Sequence, residues 1–269
     1  MTDFTREIQL VNQLADVSTE VICQYFRQAN IYAETKLADR SSIVTIADRQ
    51  AEEAMVNILR ETVPNDGIIR EEGENIPSKN GRYWVLDPID GTSAFVKGLP
   101  VFGTLIGLVD SHQNLPLVGC LNQPILQERW LGITGKIPTL NGKPLENPYA
   151  KLTDSQLKDA CLTSTTPIMF ITQRQQAIAA KLQQVCKRIA FGGDCYNYGS
   201  LASGWSSMPM VILESDLKYY DFCALIPILE GVGCIITDWL GNTLNSESTE
   251  VLAASNQTLH QQALEVINN

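Results

Sequence analysis

Apolar side chains recur every three or four residues along the N-terminal part of the chain. This spacing places them on one side of a helix, and it predicts a long first helix through Phe4, Ile8, Val11, Ala15, Ile22 and Phe26. A second helix is predicted at about 47–60, because Thr45 can cap its first turn and Pro64 lies beyond its end. The chain therefore opens with two amphipathic helices.

The hydrophobic pattern then changes to short apolar runs separated by Gly, Pro and Asn turns. Such runs are typical of strands, and they fall at 68–69, 83–86, 101–109, 117–121 and 129–133. Residues 141–144, with the sequence Asn-Gly-Lys-Pro, form a further predicted turn. Near this turn we place the boundary between an N-terminal lobe, 1–145, and a C-terminal lobe, 146–269.

Strand and helix patterns alternate in the second lobe. Strands are predicted at 160–163, 210–214, 234–237 and 251–254, and helices at 173–187, 221–230 and 259–267. Because helix and strand segments are mixed along one chain of 269 residues, the sequence predicts a layered α/β or α+β protein.

Composition limits the partners of such a fold. The chain has 30 acidic and 20 basic residues and a formal net charge of −10, which argues against binding to nucleic acid or to an anionic membrane surface. No apolar run approaches the length of a membrane span, and the seven cysteines are scattered with no Cys-x-x-Cys pair. We therefore expect a soluble, cytoplasmic protein. Because the chain has only two histidines, we expect carboxylates to carry out catalysis and metal binding.

The segment DPIDGT, residues 87–92, places two carboxylates and a helix start at the end of an apolar strand. Pro88 lacks an N–H, so we expect the strand to stop there and the backbone to turn, which returns Asp90 to the side of Asp87. Gly91 and Thr92 can open a short helix whose free N–H groups point at the two carboxylates. Mg²⁺ prefers such oxygen ligands together with phosphate oxygens. The alternative is that the two carboxylates only stabilise a turn and cap a helix.

Further acidic residues stand at predicted strand ends and helix starts. Asp48 begins the second helix, the pair Glu71-Glu72 follows strand 68–69, and Asp221 begins an apolar helix. Each of them alone is explained by a helix cap or a solvated charge. Together they indicate a ligand site, because loops at strand ends gather at one edge of a sheet.

In this order the acidic motifs resemble those of the inositol monophosphatase family, a group of Mg²⁺-dependent phosphomonoesterases, and the similarity spans nearly the whole chain. Within the family the sequence is most similar to the histidinol-phosphatase branch, through GLPVFGTLI at 98–106, NQPILQERW at 122–130, TTPIMF at 165–170 and GGDCYNYG at 192–199. The resemblance implies a layered α-β-α-β-α sandwich, the sugar phosphatase fold, and a homodimer.

The resemblance also implies a metal centre of two or three Mg²⁺ ions, with Mn²⁺ as an alternative ion. One ion would be held by Glu71, Asp87 and the backbone carbonyl of Ile89, and another by Asp87, Asp90 and Asp221. A third, weaker ion would lie near Glu71. Metal ions lower the pKa of bound water and neutralise phosphoryl oxygens, so the reaction needs no protein nucleophile.

Catalytic and phosphate-binding roles follow from the same resemblance. Thr92 would pair with Asp48 to orient and deprotonate the attacking water, with Glu71 as a further catalytic residue. The N–H groups of Gly91 and Thr92 would cradle the phosphate. Lys36 matches a lysine near the phosphate side in relatives, or it is a solvated loop residue.

Substrate recognition is assigned to the second lobe. Asp194, which follows the glycine turn that contains Gly193, would face the leaving group together with Glu214. Two acids there suit a cation such as the amine of histidinol phosphate, whereas a neutral inositol would leave them unpaired. The alternative is that Asp194 pairs with a nearby base such as Arg188.

The sequence thus favours a phosphatase that converts L-histidinol phosphate to L-histidinol and phosphate, a late step of histidine biosynthesis. A phosphatase for inositol 1-phosphate, or for another small sugar or nucleotide monoester, would have the same metal core. A third alternative is a non-catalytic phosphate-ester sensor in which Arg70, beside Glu71, has displaced a metal.

Overall fold

The computed structural model describes residues 3–28, 34–35, 43–113, 115–152, 155–206 and 208–269. The first elements are helix α1 (Thr5–Tyr25), the antiparallel strands β1 (Glu34–Thr35) and β2 (Ile43–Val44), and helix α2 (Ile46–Thr62). Both helices lie where the hydrophobic pattern predicts them. Thr45 caps α2 as expected, because its side chain accepts a hydrogen bond from the N–H of Ala47. Within these ranges no helix is long and apolar enough to cross a membrane.

A seven-stranded sheet follows, in which strands that are neighbours in sequence are neighbours in space. Its strands are β3 (Gly67–Arg70), β4 (Arg82–Asp90), β5 (Gly103–Asp110), β6 (Leu115–Gln123), β7 (Glu128–Ile133), β8 (Thr139–Leu140) and β9 (Lys143–Pro144). Strands β3 and β4 are parallel, and the later neighbours are antiparallel. Within the turn predicted at 141–144, residues 141–142 connect β8 to β9, and Lys143 and Pro144 form β9 itself.

Strand β4 differs from the sequence-based expectation at Pro88. The strand does not stop there but continues to Asp90, with a register shift against β5 between Asp87 and Asp90. Side chains alternate sides along a regular strand, so residues three apart would face opposite sides. The irregularity removes this alternation and lets both carboxylates reach one site. Pro88 therefore lies in a local distortion of the strand and does not terminate it.

The second sheet has five strands, namely β10 (Cys161–Ser164), β11 (Arg188–Phe191), β12 (Met210–Glu214), β13 (Ile235–Thr237) and β14 (Val251–Ala254). Their spatial order is β11-β10-β12-β14-β13. Strand β10 is parallel to β11 and β12, and β14 is antiparallel to β12 and β13. Strand β11 is not predicted from the sequence; it is an edge strand whose residues are all exposed although three of the four are apolar.

Further helices are α3 (Thr92–Val96), α4 (Gln173–Val185), α5 (Asp194–Ser203), α6 (Tyr219–Phe222), α7 (Ile226–Gly231) and α8 (Gln257–Asn268). The single helix predicted at 221–230 is divided into α6, a 3₁₀ turn at Cys223–Leu225, and α7. Pro227 stands in the first turn of α7, where its missing N–H is tolerated, and a continuous helix would have needed that N–H.

Buried side chains define five layers. Helices α1 and α2 cover one face of the seven-stranded sheet through residues such as Leu14 and Leu86. The other face, which includes Val85, packs on α5 to α7 and on Ile212 of the five-stranded sheet. Helices α4 and α8 cover the far face of that sheet, where Leu213 lies. The α-β-α-β-α sandwich is confirmed, and burial on both faces explains why the strands are continuous apolar runs.

Candidate active site

Three carboxylates from distant parts of the chain form a cluster. Asp87 and Asp90 come from the end of β4, and Asp221 comes from α6 in the central layer. One oxygen of each lies within 4.8 Å of the others. Asp87 is buried and the other two are half-buried. Carboxylate oxygens at this separation can share a divalent cation.

Burial and mutual repulsion disfavour the ionised forms of these carboxylates when no cation is bound. Burial is the largest cause that raises the pKa of Asp87 and of Asp90 well above the ordinary range, and neighbouring carboxylates add to it. Burial also raises the pKa of Asp221 to about 8, against an opposing hydrogen bond from the N–H of Lys218. Oδ1 of Asp87 is buried without a hydrogen-bond partner among the described residues. A cation would satisfy that oxygen and offset the charge, so these residues fit a metal site.

Glu71 and Ile89 border the same cleft, which has a volume of about 470 Å³. Glu71 follows β3, and after burial its charge is the next cause that raises the pKa of Asp87. The carbonyl of Ile89 accepts a hydrogen bond from the hydroxyl of Thr92 at 3.1 Å. All five residues that the resemblance assigns to metal binding therefore line one cleft, although the three-carboxylate cluster does not include Glu71.

Asp48 makes two sets of contacts from the first turn of α2. Its Oδ2 accepts hydrogen bonds from the N–H and the hydroxyl of Thr45, at 2.8 and 2.5 Å, which forms a capping box. Its Oδ1 accepts a hydrogen bond from the hydroxyl of Thr92 at 3.2 Å. Burial raises the pKa of Asp48 to about 6, although these hydrogen bonds oppose the shift. Asp48 is therefore both a helix cap and a partner of Thr92.

Gly91 forms the turn between β4 and α3. Its φ of 91° lies in the left-handed region, and it precedes Thr92, the first helical residue. A side chain added at Gly91 would come within 3.0 Å of the carboxyl group of Asp194. Glycine fits both the backbone conformation and this close approach. The turn expected to hold phosphate thus lies directly beside Asp194.

Asp194 is the first residue of α5 and follows Gly193, whose φ is 105°. Its own φ of 42° is uncommon for a residue with a side chain. Burial, followed by the charge of Glu214, raises the pKa of Asp194 to about 7, while Lys97 and a hydrogen bond from Thr165 lower it. Asp194 and Gly193 both border the cleft, as expected.

The alternative that Arg188 neutralises Asp194 is not supported. Arg188 is exposed on the edge strand β11. Within the part of the chain that the structure describes, the basic side chain that lowers the pKa of Asp194 is Lys97, which also borders the cleft. Asp194 is therefore placed to interact with a ligand in the cleft.

Glu214 lies behind the cleft, at the end of β12. Its Oε1 accepts hydrogen bonds from the N–H and the hydroxyl of Thr165, at 3.0 and 2.6 Å, and its Oε2 accepts one from the hydroxyl of Tyr198 at 2.6 Å. Only 2% of Glu214 is exposed, and it is not among the residues that border the cleft. Its position does not match the expected direct contact with the leaving group. Glu214 is instead a buried acid that acts on the pKa of Asp194.

No site role is predicted from the sequence for several residues that border the cleft, although segments 98–106 and 165–170 contain four of them; they are Ser93, Lys97, Leu99, Thr165, Thr166 and Ile168. Thr165 and Thr166 directly follow β10, so the strand-end argument that identified the acidic residues could have found them. Lys97 directly follows the short helix α3, and no motif marks it. Lys36 lies outside the described residues.

Arg70 does not border the cleft. Its Nε donates a hydrogen bond to Oε2 of Glu52 at 2.8 Å, and its Nη2 donates one to Oε2 of Glu53 at 3.0 Å. The guanidinium is therefore engaged with α2 and does not take the place of a metal beside Glu71, as the sensor alternative requires.

Known proteins resemble this chain over almost its full length. The chain matches the inositol monophosphatase family over residues 5–269. It is 40% identical to the chloroplastic bifunctional phosphatase IMPL2 of Arabidopsis thaliana, over 98% of this chain and 75% of that protein. A histidinol-phosphatase of Chlorobaculum parvum is 28% identical, over 94% and 93% of the two chains. The solved structure of an inositol monophosphatase from Zymomonas mobilis superposes with a TM-score of 0.84 and 39% identity, over 100% of both chains. The protein is a member of the inositol monophosphatase family.

Proposed function

We propose that this phosphatase hydrolyses L-histidinol phosphate to L-histidinol and phosphate in a Mg²⁺-dependent reaction. The observation that carries the proposal is the position of Asp194, whose carboxyl group lies against Gly91 in the same cleft as the acidic cluster. A phosphomonoester bound at the Gly91 turn would present its leaving group to this acid. The relative from Chlorobaculum parvum supports the choice of ester, since it is named a histidinol-phosphatase.

Oxygen ligands for Mg²⁺ would come from Glu71, Asp87, the carbonyl of Ile89, Asp90 and Asp221. Bound Mg²⁺ would lower the pKa of a coordinated water and offset the charge of the phosphoryl oxygens. Hard oxygen ligands of this kind also accept Mn²⁺.

Thr92 and Asp48 would accept the proton of the attacking water. The hydroxyl of Thr92 has one proton and faces two acceptors, Oδ1 of Asp48 and the carbonyl of Ile89. A water in line with the ester bond would donate its proton to Oγ1 of Thr92 while Thr92 passes its own proton to Oδ1 of Asp48. Because the pKa of Asp48 is raised only to about 6, by burial, the group is mostly ionised at neutral pH and can accept that proton.

The reaction would form no covalent bond between the enzyme and the phosphoryl group. The water oxygen forms the new P–O bond, and the electron pair of the broken ester bond stays on the histidinol oxygen, which takes a proton from solvent. The N–H groups of Gly91 and Thr92, at the start of α3, would hold the phosphoryl oxygens.

Asp194 would distinguish a cationic leaving group from a neutral one. The protonated amine of histidinol can make a charge-assisted hydrogen bond to this carboxylate. A neutral polyol would displace water from the carboxylate without supplying a positive charge, and that loss weakens binding. Glu214, enclosed behind Thr165, strengthens the preference by adding negative charge near Asp194.

Hydrolysis of inositol 1-phosphate is the second candidate. It is favoured by the 39% identity to a structure described as an inositol monophosphatase. The acidic cluster serves either ester, so only the leaving-group side of the cleft separates the two activities.

The test is phosphate release from L-histidinol phosphate and from myo-inositol 1-phosphate, side by side, with Mg²⁺ and with EDTA. We expect kcat/KM to favour the histidinol ester by about tenfold or more and to be lost in EDTA. A preference for the inositol ester would reject the proposed specificity and select the second candidate. Mg²⁺ binding without phosphate release from either ester would reject both and favour another monoester or the sensor.

A further inference from the structure

Glu52 occupies a position that the reaction described above does not use. It lies one helical turn after Asp48 on α2, and its side chain is fully buried. Its Oε2 accepts a hydrogen bond from Nε of Arg70 at 2.8 Å, and its Oε1 accepts one from the backbone N–H of Glu72 at 2.9 Å. One carboxylate thus holds the residues immediately before and after Glu71.

We infer that Glu52 is a positioning residue, which fixes the segment that carries Glu71 against α2 and so sets the geometry of the metal centre. The inference rests on the metal role proposed for Glu71. Residues 71–73 follow β3 and belong to no helix or strand, so the sheet no longer fixes their backbone. A buried carboxylate that accepts from the backbone of this segment replaces that support.

Arg70 completes the arrangement from the other side. Its guanidinium bridges the buried Glu52 and the half-exposed Glu53. A buried carboxylate requires a partner of opposite charge, and Arg70 supplies it. Gly73 leaves room for this contact, because a side chain there would collide with the guanidinium. The arginine that stands beside the metal ligand in sequence therefore anchors the ligand's segment.

Helix α2 connects two parts of the proposed site through residues four apart, which lie on one face of a helix. Asp48 contacts the hydroxyl of Thr92, and Glu52 contacts the segment of Glu71. Those two groups belong to different connections of the seven-stranded sheet. A single rigid helix therefore fixes the distance between them.

Calorimetric titration with Mg²⁺ alone is the test, because it does not depend on which ester is the substrate. Glu52→Gln keeps the size of the side chain but offers one acceptor oxygen where the carboxylate offers two, so one of the two contacts is lost. We expect the Kd for Mg²⁺ to rise by about tenfold or more, as for other residues that orient a metal ligand. KM for the ester at saturating Mg²⁺ should stay within about twofold.

Glu53→Gln is the matched control. It removes the second ion pair of the same guanidinium, but Glu53 is 50% exposed and contacts the guanidinium rather than the backbone of segment 71–73. The Kd for Mg²⁺ should remain within about twofold of the native value. An unchanged Kd in a folded Glu52→Gln protein, or an equal rise in both variants, would overturn the inference.

Arg70→Lys is the second test variant, for the case in which Glu52→Gln does not fold. Lysine retains the positive charge but has no planar fork that can bridge Glu52 and Glu53. We expect a rise in the Kd for Mg²⁺ of about threefold, and a native Kd in this variant would also overturn the inference. If the Mg²⁺ titrations behave as expected but histidinol phosphate is not hydrolysed, the substrate assignment fails and the role of Glu52 stands.

Discussion

The backbone N–H of Cys195 donates a hydrogen bond to Oδ2 of Asp90 at 2.5 Å, which joins the first turn of α5 to the carboxylate cluster. Asp194 immediately precedes Cys195 in that turn. The backbone of Cys195 therefore links Asp194, proposed to select the leaving group, to Asp90, proposed to bind metal. Substitutions that keep shape are needed to separate their effects.

Asp90→Asn removes one negative charge from the cluster but keeps an oxygen that can accept the N–H of Cys195. We expect kcat/KM with Mg²⁺ to fall by about a hundredfold or more, because the metal loses a charged ligand. The thermal midpoint in EDTA should rise, because folding no longer has to hold this buried carboxyl group in its protonated form. Phosphate release and thermal unfolding measure the two effects, and near-native turnover would remove Asp90 from the metal site.

Asp194→Asn tests the specificity argument, and asparagine tolerates the φ of 42° at this position better than alanine. We expect kcat/KM for histidinol phosphate to fall by about tenfold to a hundredfold, the value of a hydrogen bond to a charged group. For inositol 1-phosphate the change should be within about threefold. Asp216→Asn is the control, since Asp216 has a φ of 61° but is exposed outside the cleft. Equal losses on both esters would reject the role of Asp194.

Thr92→Val removes the hydroxyl that contacts Asp48 while keeping the shape of the side chain. We expect kcat to fall by about a hundredfold or more, because the proton of the attacking water loses its acceptor. Thr92→Ser should keep most of the activity, and the Kd for Mg²⁺ should change little in either variant. Steady-state kinetics with calorimetry checks this, and native kcat in Thr92→Val would exclude the proton path.

The stability of the metal-free protein should fall as the pH rises. The folded protein raises the pKa of Asp48 to about 6, of Asp194 to about 7 and of Asp221 to about 8, in each case chiefly by burial, from an ordinary value of 3.8. Between about pH 4 and pH 8 the folded state therefore binds more protons than the unfolded state, so the free energy of unfolding decreases with pH.

Urea unfolding in EDTA at pH 5 and pH 8 measures this decrease. Mg²⁺ binds the ionised carboxylates, so its addition at pH 8 should restore stability. Asp194→Asn should show a shallower dependence on pH, because it lacks one of the shifted groups. A free energy of unfolding that increases between these two pH values in EDTA would contradict the assignment of raised pKa values.

The sequence predicts the helices and strands whose hydrophobic pattern matches the faces that they bury between the layers. Helices α1 and α2 and strands β12 and β14 are found where expected, because one or both of their faces contact a sheet or helix. Helix α5 is not predicted. Gly192 and Gly193 precede it, Asp194 begins it with a left-handed φ, and no side chain caps it. Its position depends on the packing of Cys195 and Leu201 in the central layer, which a local pattern does not contain.

Among the acidic residues near the cleft, too, the sequence predicts some and not those whose role depends on tertiary contacts. Asp87, Asp90 and Asp221 could be predicted because strand ends and helix starts meet at one site. The roles of Glu52 and Glu214 could not be predicted, because they depend on which N–H groups come within reach after folding. Glu52 accepts from a segment that follows another strand, and Glu214 is enclosed by hydrogen bonds that keep it out of the cleft.

Asp90 and Asp221 belong to different layers and are far apart along the chain. A cation shared by them would close a loop of about 130 residues, a link with the topology of a disulfide between distant cysteines. The seven cysteines are all free, so the metal would be the crosslink between these layers. When divalent cations are scarce, the folded state would lose this stabilisation and open more often, and proteases cleave the opened state. The lifetime of the protein, as well as its catalytic rate, would then follow the metal supply.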